Sequence, residues 1–96
     1  MQKDEILRLL EAHRVEYRKL GAKSLALFGS FAREQASPES DVDLLVDFDK
    51  PPTFDAYMNL KFFLEDLLGR KVDLVPRRTL KPRLVPCIER EAIYVS

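Results

Sequence analysis

Three aspartates within apolar stretches are the residues whose types and spacing best suit chemistry. Asp41 and Asp43 lie in "SDVDLLV", and Asp73 lies in "KVDLV". Because side chains alternate across a β-strand, Asp41 and Asp43 are expected on one face, opposite the apolar residues. Carboxylates that close repel each other unless a proton or cation lies between them, and Mg²⁺ prefers oxygen ligands. If the Asp73 strand is a neighbour, three carboxylates suffice for two metal ions roughly 3.5–4 Å apart, an arrangement suited to in-line displacement at phosphorus.

A Gly-Ser pair, separated from Asp41 by ten residues, is the complement to the carboxylates. Gly29 and Ser30 follow an apolar run and are expected to begin a short helix, whose first backbone N–H groups suit a phosphate. Glycine lets a backbone approach a ligand closely, and the Ser30 hydroxyl adds a donor. Arg33, one helical turn further, is placed either to contact a phosphate or to pair with one of the aspartates.

An Asp-x-Asp pattern alone is not diagnostic of a metal site. Asp47 and Asp49 form a second such pattern where the same strand is expected to end, and acidic residues there need no explanation beyond solvation. Asp41 and Asp43 differ because apolar residues alternate with them and because Asp73 repeats the pattern. Their joint occurrence with Gly29-Ser30 favours phosphate chemistry over a solvated face.

The elements that must position these residues follow from hydrophobic periodicity and turn residues. The chain is predicted to form a helix over 4–20, a strand over 23–28, a short helix from Gly29 to about Arg33, a strand over 41–48, a helix from the N-cap Thr53 to Leu68, a strand over 71–75, a helical turn or two over 85–90 and an extended end over 92–95. The strand–helix–strand unit from 41 to 75 favours a right-handed crossover between parallel strands, whereas the 28–41 connection allows either direction. We therefore expect an α+β fold, a small mixed sheet with helices packed on one face.

Length and composition predict one domain over residues 1–96. The 16 Lys and Arg balance the 16 Asp and Glu, and this zero net charge argues against direct nucleic-acid binding.

The charged N-terminus resembles neither a signal peptide nor a membrane span, so no membrane partner is expected. The sole cysteine, Cys87, cannot form an internal disulfide, which fits a cytoplasmic location, and we expect it to be a packing residue.

Four segments together resemble the polymerase-beta-like nucleotidyltransferase superfamily: "LFGSFAR", "SDVDLLVDF", "KVDLV" and "REAIYV". Nearly the whole chain looks like its minimal nucleotidyltransferase (MNT) branch, the antitoxins of HEPN–MNT toxin–antitoxin pairs. The resemblance implies that Gly29 and Ser30 bind the triphosphate, with Arg33 as a further nucleotide-binding candidate. It also implies that Asp41 and Asp43 hold Mg²⁺ ions, and that Asp73 completes one metal site and helps to deprotonate the attacking hydroxyl. Glu34 stands where the family usually has glycine.

The resemblance also implies a function. Some antitoxins of that family transfer AMP from ATP to a tyrosine of the partner toxin, an RNase of the HEPN class. We therefore expect a protein adenylyltransferase that uses ATP and two Mg²⁺ ions. One alternative is a non-catalytic antitoxin that only occludes its toxin. Another is transfer to a small-molecule hydroxyl, as in aminoglycoside nucleotidyltransferases, although 96 residues leave no room for the acceptor domain of larger relatives.

Two further segments each allow two interpretations. The predicted long helix carries more apolar residues than one face needs: Phe54, Tyr57, Met58, Leu60, Phe62, Phe63, Leu64, Leu67 and Leu68. They either all belong to the core or include a surface on which a protein partner docks and presents its hydroxyl. The basic segment "RRTLKPR" is either a solvated loop or a contact for nucleotide phosphates or an acidic partner. His13 is expected to be a surface residue of the first helix.

Overall fold

The structure, a computed structural model, describes residues 1–95. Its helices and strands follow the chain in this order: α1 (Lys3–Ala12), α2 (Arg14–Lys19), β1 (Ala22–Phe28), α3 (Gly29–Ala32), β2 (Val42–Phe48), α4 (Phe54–Leu68), β3 (Val72–Pro76), α5 (Val85–Glu91) and β4 (Ile93–Tyr94). A single 3-10 turn, Arg77–Thr79, lies between β3 and α5.

The four strands form one sheet in the order β3-β2-β1-β4. The strands β2 and β3 are parallel, as predicted from the helix that joins them, and β1 is antiparallel to both β2 and β4. The open question of the 28–41 connection is thereby answered, because β1 and β2 run in opposite directions. The mixed sheet confirms the predicted α+β class.

Alternation along the strands directs apolar side chains to the helices. Val42, Leu44 and Val46 of β2 are fully buried. They share the core with residues of β1 and β3 and with one face each of α1, α2 and α4, which supply Ile6, Leu10, Tyr17, Leu60, Leu64 and Leu68. The odd-numbered residues of β2 therefore lie on the opposite face of the sheet. That face carries Asp43 and Asp47 together with the buried Leu45.

The helix α4 has the predicted ends. The Thr53 hydroxyl accepts a hydrogen bond from the Ala56 N–H at 3.1 Å, which caps the first turn. Gly69 follows with φ of 66°, the left-handed conformation that commonly ends a helix. The next strand, β3, begins at Val72, so residues 70 and 71 alone connect Gly69 to it.

The first predicted helix is in fact two. The break lies at His13, whose φ of −112° and ψ of 25° are not helical. His13 Nδ1 lies 2.8 Å from the Leu9 carbonyl oxygen, so the ring bonds to the backbone of the preceding turn and stabilises the break. His13 is partly exposed, and the single helix predicted over 4–20 is corrected to two helices.

Cys87 was predicted to be a packing residue, but it is exposed, because α5 contributes no fully buried residue to the core.

Among the described residues, no helix combines the length and the apolar character needed to cross a membrane.

Glu34 occupies a backbone conformation that disfavours its side chain. Its φ is 59°, and its carboxylate lies 3.1 Å from Lys3 Nζ. Glycine adopts this conformation without a steric penalty, which explains why glycine is the usual residue here in the family that the sequence resembles. The exposed ion pair contributes about 0–1 kcal/mol, so it offsets only part of the backbone strain.

We expect Glu34→Gly to melt at a higher temperature than Glu34→Ala. Both variants lose the ion pair with Lys3, but only glycine relieves the strain at positive φ. A difference of about 1 kcal/mol corresponds to roughly 4–8 °C in a domain of this size. Thermal unfolding followed by circular dichroism measures it, and equal melting temperatures would mean that the backbone here is unstrained.

Candidate active site

The pairing of β2 with β3 brings two of the three aspartates side by side. Asp43 is the direct partner of Asp73 in the parallel register, and neighbouring strands lie about 4.8 Å apart. Both side chains project from the face of the sheet opposite the helical core. Asp43 is half-buried, and Asp73 is exposed. The predicted neighbourhood of the two strands is therefore present.

Asp41 lies just outside the strand that was expected to contain it. The ladder begins at Val42, whose N–H donates to the Lys71 carbonyl oxygen at 2.9 Å, so β2 does not include Asp41. Alternation consequently does not fix the direction of the Asp41 side chain, which is exposed. The Asp41 charge nevertheless contributes to the raised pKa of Asp43.

The pKa of Asp43 reflects the negative charges that surround it. Burial raises the pKa of Asp43 above its usual range, and the nearby charges of Asp73 and Asp41 raise it further. The Arg33 guanidinium opposes this effect, and the Glu91 carboxylate adds to it. A cation bound at Asp43 would remove the repulsion that raises the pKa.

The carboxylates suit a magnesium ion that is shared with a substrate. Within residues 1–95, no three acidic, histidine or cysteine side chains meet closely enough to enclose a metal ion on their own. Mg²⁺ is commonly held by one or two carboxylates together with substrate phosphates, and adjacent Asp43 and Asp73 provide such a partial set. The assignment of Asp41, Asp43 and Asp73 as metal ligands remains a prediction.

The structure explains why position 29 requires a glycine, and the sequence did not reveal this reason. It lies at the end of β1 with φ of 75°. A Cβ atom added there would lie 2.1 Å from Asp43 Oδ2 and 2.9 Å from its Cγ. Only glycine therefore allows the Asp43 carboxylate to lie against this backbone. Gly29 was predicted from its suitability for a phosphate, whereas its observed neighbour is a carboxylate.

Ser30 and Arg33 extend the site along α3. Ser30 is half-buried, and its carbonyl oxygen accepts a hydrogen bond from the Gln35 N–H at 2.8 Å, which closes the turn. Within residues 1–95, Arg33 forms its ion pair with Glu91 and not with an aspartate. Its Nη1 donates to both carboxylate oxygens of Glu91, at 3.2 and 3.1 Å. Glu91 was not among the partners expected for Arg33, and the predicted contact of Arg33 with a nucleotide phosphate stays a prediction.

Glu91 and Tyr57 are the residues near the site that sequence reasoning missed. Glu91 also accepts a hydrogen bond from the Gly29 N–H at 3.2 Å. Tyr57 of α4 donates its hydroxyl hydrogen to the Leu74 carbonyl oxygen beside Asp73. Burial raises the pKa of Tyr57, and the Asp73 charge raises it further. Glu91 belongs to the segment "REAIYV" that resembles the family, but no role was predicted for it, because both residues act through contacts between distant parts of the chain.

A polar cleft adjoins the carboxylates. Its volume is about 470 Å³, and it is lined by Asp41 with Arg70, Lys71, Gly69 and the loop 38–40. A more apolar groove of about 370 Å³ is lined by residues 20–21 and 48–53 together with Ala56, at the opposite end of β2 from Asp43. Of these two cavities, the polar cleft includes one of the three predicted site aspartates, Asp41.

Comparison with known proteins gives the family. A model of the nucleotidyltransferase domain matches residues 8–95. The protein adenylyltransferase MntA of Thermococcus cleftensis is 41% identical over 93 residues, which cover 96% of this chain and 94% of the relative. A solved structure described as a "putative minimal nucleotidyltransferase" is 41% identical, with a TM-score of 0.84 over 97% of this chain and 95% of that one.

More distant structures share the fold. A complex of the tri-AMPylated HEPN toxin of Shewanella oneidensis with MNT antitoxin gives a TM-score of 0.67 at 22% identity, over 94% of this chain and 71% of the matched one. The family match over nearly the whole chain and the close relatives together show that this chain belongs to the nucleotidyltransferase domain family, beside the small protein adenylyltransferases.

Proposed function

We propose that this chain is an antitoxin that transfers AMP from ATP to a tyrosine hydroxyl of a HEPN-class toxin and thereby neutralises it. The observation that carries the proposal is the register of Asp43 with Asp73, with Gly29 packed against the Asp43 carboxylate. The relative named protein adenylyltransferase MntA supports the reaction type. The structural neighbour that contains a tri-AMPylated HEPN toxin supports the class of acceptor.

The reaction is a displacement at the α-phosphorus of ATP. The tyrosine oxygen forms a bond to that phosphorus while the bond to the bridging oxygen of the β-phosphate breaks, and pyrophosphate leaves. The hydroxyl proton passes to a carboxylate, for which Asp73 is the candidate because it is the exposed member of the Asp43–Asp73 pair. Mg²⁺, when bound by Asp41, Asp43 and Asp73, supplies charge neutralisation at the phosphates.

The site residues contribute mainly positioning. Gly29, Ser30 and Arg33 orient the phosphate chain, while the carboxylates set the direction of attack. The polar cleft beside Asp41 offers Arg70 and Lys71 near the reacting group. A site of this type lowers the barrier through alignment and fixed charges rather than through a covalent intermediate.

A transfer assay tests the proposal. The chain is incubated with Mg²⁺, ATP labelled at the α-phosphate and the HEPN-class product of the neighbouring gene, and labelled peptides are identified by mass spectrometry. We expect AMP on a tyrosine of the toxin, and no label when Asp41→Asn replaces the wild-type chain. If the Asn variant still suppresses the toxin and neither protein transfers label, the non-catalytic interpretation is correct. Label on a small molecule instead of the toxin would identify the other alternative.

The helix α4 is the proposed docking surface for the toxin. Leu60, Leu64 and Leu68 are buried, so part of the helix belongs to the core. Phe54 and Phe62, in contrast, have 77% and 53% of their surface exposed. Exposed phenylalanines on one helix are typical of a surface that is covered in a complex, and a helical partner suits such a face.

We expect Phe62→Asp to abolish co-elution of the chain with the toxin on gel filtration. The substitution removes an exposed aromatic contact and adds a charge that a complex would bury, a loss of about 2 kcal/mol or more. Val15→Asp on α2 is the matched control, because Val15 is 63% exposed but lies on another helix. Both variants should keep the wild-type melting temperature. Co-elution of the Phe62 variant would place the docking surface elsewhere.

A further inference from the structure

Glu91 holds two donors that the proposed reaction assigns to the nucleotide. Its Oε1 accepts the Gly29 N–H at 3.2 Å, and both of its carboxylate oxygens accept from Arg33 Nη1. Fifty-eight residues separate Glu91 from Arg33 in sequence, so the contact exists only in the folded chain. A carboxylate in this position resembles a phosphate in charge and in the geometry of its oxygens.

The charge around Glu91 argues against a purely stabilising role. Its carboxylate accepts the Gly29 N–H, and Gly29 packs directly against the Asp43 carboxylate, so Glu91 adds a negative charge beside Asp43. A residue selected only to hold α5 in place would not need to lie among these carboxylates. The side chain is about a quarter exposed, which leaves it a path away from the site.

We propose that the Glu91 carboxylate occupies the place of a nucleotide phosphate oxygen, and that nucleotide binding displaces it. The inference rests on the proposed function, because it takes Gly29 and Arg33 as phosphate donors. Glu91 is then a built-in competitor, which weakens nucleotide binding until a triphosphate with its metal ion replaces it.

The attachment of α5 permits such a displacement. The helix contributes no fully buried residue, and the strand that follows it, β4, pairs with β1 through Ile93 and Tyr94, with one further hydrogen bond from the Val95 N–H to the Leu25 carbonyl oxygen at 2.9 Å. Few contacts therefore have to break when Glu91 leaves Gly29 and Arg33. A second ion pair on the same helix, between Arg77 and Glu89, involves neither of these donors.

Isothermal titration with a non-hydrolysable ATP analogue and Mg²⁺ tests the role of Glu91. We expect Glu91→Gln to bind the analogue about tenfold more tightly than the wild type, which is the effect of removing one charge-assisted competitor. Glu89→Gln is the matched control, because it makes the same change on the same helix and leaves Gly29 and Arg33 untouched. Its affinity should equal that of the wild type.

A second variant keeps the test independent of the folding of the first. Glu91→Asp retains the charge but shortens the side chain by one methylene, so it should also bind the analogue more tightly, by a smaller factor. Inorganic tripolyphosphate should show the same order of affinities, because the competition concerns phosphates and not the base. Thermal unfolding confirms that each variant is folded.

The outcomes separate this inference from the function on which it rests. Wild-type binding of the analogue with equal or weaker binding by the Glu91 variants overturns the role of Glu91 alone. Equal tightening by Glu89→Gln also overturns it, because the effect would then be one of net charge. If the wild type binds neither the analogue nor tripolyphosphate in the presence of Mg²⁺, the proposed function and the inference both fail.

Discussion

Asp43→Asn is expected to abolish AMP transfer and, at the same time, to make the folded chain more stable. Removing a charged group that acts in the transition state typically costs roughly 10²–10³-fold in rate. The same carboxylate destabilises the fold, because Asp43 is half-buried and faces Asp73 directly across the parallel pair. Like charges opposite each other on neighbouring strands cost about 0.2–1 kcal/mol. Activity and stability therefore change in opposite directions at one residue.

The pH dependence follows from the raised pKa of Asp43. The folded chain retains the proton of this carboxyl at pH values where the unfolded chain has lost it. The folded state thus binds more protons, and the free energy of unfolding decreases as pH rises from near 3.8, the ordinary pKa, through the raised value. The Asn variant has no such proton to lose. Its advantage in stability over the wild type should be small in acid and full at neutral pH.

Thermal unfolding between acid and neutral pH, together with the transfer assay, measures both effects. Asp47→Asn is the matched control, since Asp47 lies on the same strand and the same face, four residues from Asp43. This control should keep the wild-type rate of AMP transfer, and its melting temperature should differ from that of the wild type by almost nothing. Mg²⁺ should raise the melting temperature of the wild type more than that of Asp43→Asn. A variant that transfers AMP at the wild-type rate would remove Asp43 from the reaction.

Much of the fold was predictable because local signals and the global topology agree. Thr53 and Gly69 define the ends of α4, and the helix between β2 and β3 requires parallel strands. The side-by-side placement of Asp43 and Asp73 was predicted only on the condition that their strands are neighbours, and the structure supplies both that adjacency and the register. The start of β2 was predicted one residue too early, at Asp41 instead of Val42. The first hydrogen bond of a strand pair depends on the neighbouring strand and not on the residue itself.

The remaining features depend on contacts between residues far apart in sequence. Glu91 reaches Gly29 and Arg33 only because β4 returns the chain to the edge of β1. The break at His13 depends on a ring that bonds to the preceding turn, whereas periodicity continues through it. Hydrophobic patterns report burial, so they carry no information about such polar contacts.

Gly29→Ala is expected to reduce the free energy of unfolding more than Gly69→Ala does, and also to reduce AMP transfer. The new Cβ would lie 2.1 Å from Asp43 Oδ2 and 3.1 Å from its Cβ, so rotation of the carboxylate alone does not relieve the contact. Such overpacking typically costs about 1–3 kcal/mol, in addition to about 1 kcal/mol for a side chain at φ of 75°. The shift also moves Asp43 away from Asp73 and from any bound phosphate.

Gly69→Ala is the control that separates the two costs. Gly69 has a similar φ of 66°, but nothing lies within 4 Å of an added Cβ. It should lose only the strain of the backbone, about 1 kcal/mol, so it is a control for stability. Gly29→Ala should melt at least roughly 4 °C below it, since 1 kcal/mol shifts the melting temperature by that amount or more.

A double-mutant cycle assigns the remaining loss to Asp43 itself. In the Asp43→Ala background the two shortest contacts are gone and only the 3.1 Å contact to Cβ remains, so the cost of Gly29→Ala should fall toward that of Gly69→Ala without reaching it. A coupling free energy of about 1–3 kcal/mol between positions 29 and 43 is expected from the clash. Denaturant unfolding of the four chains measures it. Additive costs would show that Gly29 is needed for its backbone conformation alone, and the close packing of glycine on the carboxylate would then have no part in shaping the site.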